Sequence, residues 1–78
     1  MKVQAGDMYL QNFKDNKREV AYIFVMGNIN KIDDESVYAD ILMIYDHFEY
    51  KFKQYMIWFS IDSKFNYHKL YNACDLRR

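Results

Sequence analysis

Seventy-eight residues, with eleven Lys and Arg set against eleven Asp and Glu, make a formally neutral chain that holds one domain and one core. Neutrality excludes affinity built on blanket phosphate neutralisation. A content of 51% apolar residues, with no Pro and only two Gly, excludes disorder.

The start Met1-Lys2-Val3-Gln4-Ala5-Gly6-Asp7 has no apolar stretch, and neither the longest wholly apolar run, Val20 to Met26, nor the run Ile41 to Tyr45 is long enough to cross a bilayer. The lone cysteine, Cys74, offers no disulfide framework, so a cytoplasmic setting without a membrane anchor is the expectation.

Along the chain, Met8-Tyr9-Leu10-Gln11-Asn12-Phe13 lies between Gly6-Asp7 and the polar Lys14-Asp15-Asn16-Lys17-Arg18, which predicts a short first strand running into a turn. The Gly6-Asp7-Met8-Tyr9 opening resembles the first strand of SH3-like barrels, a likeness of four residues that identifies no family. Glu19 to Met26 is apolar on both parities and predicts a central strand covered on both faces. From Gly27 to Ser36 only Ile29 and Ile32 are apolar, which predicts a wide connecting loop.

Val37 to Tyr45 predicts a third strand, with Val37, Ala39, Ile41, Met43 and Tyr45 on one face and Tyr38, Asp40, Leu42 and Ile44 on the other. Asp46-His47 is a short reversal. In the fourth strand Phe48, Tyr50 and Phe52 alternate with Glu49, Lys51 and Lys53, but Tyr55-Met56-Ile57-Trp58-Phe59 is apolar on both parities. One half faces water and the other is enclosed, with a bulge expected at Gln54. After Asp62-Ser63, the spacing of Phe65, Leu70, Tyr71 and Cys74 predicts a short C-terminal helix, against a competing fifth strand at Tyr67 to Tyr71. The fold class is therefore mainly β: a single domain over 1–78, an antiparallel meander or small SH3-like β-barrel of four to five strands.

Chemistry is thin. His68 and Cys74 are six apart, which suits no shared helix face and no nucleophile motif. Two histidines and one cysteine lack zinc-ligand spacing. Asp33-Asp34-Glu35 lacks the alternating ligands and the glycine of a calcium loop. The expectation is a non-enzymatic protein with no metal and no cofactor.

Two features point to binding instead. Between Asp33 and Glu49 lie six acids and no Lys or Arg, which leaves eleven bases against five acids elsewhere. Carboxylates so arranged suit a basic surface on another protein. Eight tyrosines are more than a core this small needs, and Tyr is enriched at interfaces. The leading expectation is a protein-interaction module that binds and inhibits a host protein or pairs with a second copy of itself, with Asp33, Asp34, Glu35, Tyr38, Asp40 and Asp46 in contact. Abundant Lys, Asn, Ile, Tyr and Phe accompany AT-rich genomes and suggest a phage or mobile-element accessory protein. The alternative is a nucleic-acid-binding small barrel that stacks bases on Tyr50, Phe52 and Trp58 beside Lys51 and Lys53.

Overall fold

The computed structural model describes residues 2–71, the side chain of Tyr71 excepted. Five strands run in sequence: β1 (Met8–Phe13), β2 (Glu19–Lys31), β3 (Ser36–Tyr45), β4 (Phe48–Trp58) and β5 (Phe65–Tyr71). All pairings are antiparallel, and the sheet order is β4-β3-β2-β1-β5. β2 is thus the middle strand, and β4 and β5 form the two edges.

The register places Tyr9, Ile23, Met43 and Tyr50 in one row and Val25, Ile41 and Phe52 in the next. Their side chains share one face, since cross-strand partners point the same way. The core forms there, from Tyr9, Ile23, Val25, Ala39, Ile41 and Ile57, with Val3, Ile29, Met43, Tyr55, Phe59 and Tyr67 packed around it.

That face is concave. In a flat sheet β4 would lie about 14 Å from β1, three strand spacings away. Yet Gln11 on β1 donates hydrogen bonds from Nε2 to the hydroxyls of Tyr55 on β4, at 3.1 Å, and of Tyr67 on β5, at 3.0 Å. The sheet must curl for one amide to reach both. Burial pushes the Tyr67 phenol above its ordinary range, and the neighbouring Tyr55 adds to the shift.

The curl stops short of closure, which corrects the small β-barrel expectation: the sheet is open between β4 and β5. Side chains meet across the gap where a barrel would have a backbone ladder. The C-terminal helix is corrected as well, because Phe65 to Tyr71 pair with β1 as a strand. Phe65, Tyr67 and Lys69 line up with Phe13, Gln11 and Tyr9, so a period of two prevails over the helical stripe. The rest of the helical expectation, with Cys74, falls outside the described residues.

β2 runs five residues beyond the predicted strand, through irregularities between Val25 and Asn30, and the connection shortens to 32–35. The expected cover on both of its faces is missing, since Tyr22 and Met26 on the convex side are exposed. The Gln54 bulge is present: the β3–β4 register slips between Ala39 and Ile41, and Gln54 has φ 49°.

An ion pair between a buried carboxylate and an exposed lysine holds the N-terminal segment. The carboxylate of Asp7, fully buried, lies 3.2 Å from the Lys69 ammonium and accepts the Gln4 N–H at 2.9 Å. Burial raises the Tyr9 phenol well above its usual range, and the nearby Asp7 charge reinforces the shift.

Candidate interaction surface

β3 and β4 are joined by Asp46-His47, both with positive φ, 50° and 68°. That combination is a type I′ turn, whose twist matches the right-handed twist of the flanking strands. Neither residue is Gly, so the turn is held at some cost by the strands it joins.

The hairpin is longer than the core beneath it. Near the turn the concave face carries Tyr45, Phe48, Tyr50 and Phe52, which are 47, 62, 44 and 41% exposed. All four lie in the row that farther along contains Ile41, Ala39 and Ile57. The core face thus continues past the point where anything covers it. Tyr50 stacks against Phe52 at 6.5 Å between centroids, and Phe52 against Tyr55 at 5.7 Å. Tyr50, Phe52 and Tyr55 therefore form a chain of ring contacts that leads from solvent into the core. Covering the exposed part of one such ring is worth about 2 kcal/mol.

At the base of this stripe the Gln54 bulge is stitched by side chains. Asp40 accepts from the Asn28 amide at 2.6 Å and from the Gln54 backbone N–H at 3.1 Å. Gln54 donates in turn to the Asn28 carbonyl at 2.8 Å, and Asn30 donates to Gln54 Oε1 at 2.7 Å. Polar backbone groups released by irregularities in β2 and β4 thus meet one carboxylate and two amides. The bond from the Asn28 amide, followed by that from the Gln54 N–H, holds the Asp40 carboxyl below the usual carboxylate range. A groove of about 410 Å³ lies beside the network, lined by residues that include Met26, Asp40, Lys51, Phe52 and Lys53.

The acidic residues do not form one patch. Asp33, Asp34 and Glu35 occupy the β2–β3 loop, where Asp33 accepts the Glu35 N–H at 2.7 Å and Asp34 pairs with Lys31 at 3.5 Å. The Glu35 N–H, then the Ser36 hydroxyl and N–H, hold the Asp33 carboxyl low. Asp46 sits at the other end of β3, about 30 Å away along ten residues of strand. Tyr38 and Asp40 lie between them on the convex face, with Asp40 already engaged by its neighbours. The structure brings Asp33, Asp34, Glu35 and Tyr38 to one end of the sheet and leaves Asp46 at the other.

The nucleic-acid constellation is divided as well. Tyr50 and Phe52 are on the concave face, whereas Lys51 pairs with Leu42 and Trp58 with Ser36, on the convex one. Among the basic residues of the first turn, Lys14 donates from Nζ to the carbonyls of Ser60 at 2.8 Å and Ile61 at 2.9 Å, which ties the β1–β2 turn to the β4–β5 turn. Arg77 and Arg78 lie outside the described residues. Among the described residues no group of three or more His, Cys, Asp or Glu is placed to hold a metal ion, and no helix is long and apolar enough to cross a membrane.

The Phe48-Tyr50-Phe52 alternation is plain in the sequence, as the half of a strand that faces water or as a platform for bases, but it is not among the residues expected to bind a protein. What the sequence does not show is that nothing on the concave face closes over these rings. Compared with protein-family models, with curated proteins and with solved structures, the chain has no significant match. Neither the fold nor these comparisons support the phage or mobile-element attribution.

Proposed function

We propose that the protein is a non-enzymatic protein-interaction module that meets its partner with the concave face of the β3–β4 hairpin. The observation that carries this is the stripe Tyr45, Phe48, Tyr50 and Phe52, large aromatic side chains left in water on the same face as the core. Contiguous exposed apolar surface on a small domain marks an interaction site, and aromatic anchors supply most of the binding energy at such sites. The dispersed carboxylates would act at the margins, steering encounter rather than holding the partner.

The test is affinity capture with the tagged chain, with and without nuclease, alongside a Phe48→Asp variant. Phe48 touches little of the core, so its replacement is expected to change stability by no more than about 0.5 kcal/mol. A nuclease-resistant protein partner, lost in Phe48→Asp while the unfolding midpoint holds, supports the reading. Retention that disappears with nuclease, or capture indifferent to Phe48→Asp, contradicts it.

A further inference from the structure

β4 is an edge strand, and no described strand pairs with its outer side. The turn decides which of its backbone groups face outward. In a two-residue hairpin the residues flanking the turn, here Tyr45 and Phe48, form a hydrogen-bonded pair. Alternation then directs the N–H and C=O of Phe48, Tyr50 and Phe52 at β3 and those of Glu49, Lys51 and Lys53 away from it. The free run ends at the Gln54 bulge, where the Gln54 N–H turns to Asp40. Such an edge invites another strand.

We infer that the occupant is a second copy of this chain, its β4 pairing antiparallel with the first about a two-fold axis through Tyr50. The inference rests on the proposed role of the hairpin and identifies its partner. Charge and ring placement select the register, because cross-strand partners share a face and only a few registers fit so short a run. Centring on Glu49 sets Glu49 against its own copy. Centring on Lys51 sets Lys51 against its own copy and runs Phe48 into the bulged Gln54. Centring on Tyr50 places Glu49 of each copy opposite Lys51 of the other, Phe48 opposite Phe52, and Tyr50 opposite Tyr50.

Backbone geometry selects the same register. Glu49 and Lys51 are the residues whose polar groups face outward, so each Glu49–Lys51 pair exchanges both its N–H···O bonds. On the concave side the two aromatic stripes join into one band across the axis, each ring gaining the cover that its own chain withholds. Lys51 and Lys53 would also repel strands that lack an acid in register, which suits an edge reserved for one partner.

Sedimentation of the purified chain over a range of concentrations tests this. The wild type is expected to move from 9.6 kDa towards twice that mass. Glu49→Lys and Lys51→Glu, each of which sets like charges opposite one another twice per dimer, are expected to weaken association roughly tenfold. The double variant, with the charges exchanged, is expected to recover it. In a Cys74→Ser background, Tyr50→Cys is expected to form a disulfide-linked dimer on oxidation, because opposed non-hydrogen-bonded positions lie about 4.5 Å apart at Cα. Lys51→Cys in that background is expected to cross-link far less. A chain that stays at 9.6 kDa throughout, a dimer indifferent to the charge variants, or Lys51→Cys cross-linking ahead of Tyr50→Cys overturns the pairing. A monomer that still captures a different protein through Phe48 overturns self-pairing alone; a monomer that captures nothing overturns the interaction reading as well.

Discussion

Asp40 shows how a residue chosen for its charge serves the fold. Its carboxylate takes hydrogen bonds from Asn28 and Gln54, at the point where two neighbouring strands depart from regular pairing. Those bonds favour the ionised form, so the folded-state pKa is lowered. A carboxyl with a depressed folded pKa stabilises above its unfolded value, about 4, and that stability is lost as pH falls through the folded pKa. Asp40→Asn is therefore expected to lower the thermal midpoint at neutral pH, with the gap from wild type closing as the pH drops below about 4. Melting curves across that range check the sign. The sequence shows six acids without a Lys or Arg between Asp33 and Glu49, but not that Asp40 is already bonded or that Asp46 is a strand's length from Asp33. Linear proximity in a ten-residue strand is not proximity in space. Lys14 is a similar case: read as a turn charge, it binds two carbonyls from a turn more than forty residues away.

At the scale of elements, the strands were legible wherever side-chain alternation decides. β1 and the Asp46-His47 reversal match their sequence reading, and β3 differs by one residue. The Gln54 bulge was legible because the pattern of apolar residues changes there. The extension of β2 was not, because Gly27, Asn28 and Asn30 resemble a loop until Asp40 and Gln54 are beside them to satisfy their polar groups. β5 was ambiguous for a physical reason, since seven residues show a helical and a strand stripe about equally well until β1 offers an unpaired edge. The turn itself gives a prediction. His47 holds φ 68°, a region costing a non-glycine residue about 1–2 kcal/mol. His47→Gly is thus expected to stabilise the hairpin by about 0.5–1 kcal/mol after its added unfolded-state entropy is counted. Urea unfolding would measure this, and a loss of stability would mean that the imidazole makes a contact of its own.

For the molecule as a whole, 78 residues give two options: close the sheet, or curl it and let side chains bridge the gap. This chain curls, and Gln11 is the bridge. Gln11→Leu keeps the bulk and removes both donated bonds, so it is expected to cost about 1–2 kcal/mol in urea unfolding; an unchanged midpoint would show that ring packing alone joins the edges. The barrel expectation failed because strand count and bulge placement do not reveal whether the last ladder forms. What they do reveal is an excess of aromatic surface, and the open fold leaves that excess on the β3–β4 hairpin. Central to this picture is that the hairpin, with its face and its edge, binds a second copy of the chain. Residue-resolved amide hydrogen exchange at low and high protein concentration tests it most directly. The amides of Phe48, Tyr50 and Phe52, bonded to β3, are expected to be protected at both. Those of Glu49 and Lys51 are expected to exchange rapidly when dilute and to become protected as concentration rises. Rapid exchange at Glu49 and Lys51 at every concentration would contradict the claim.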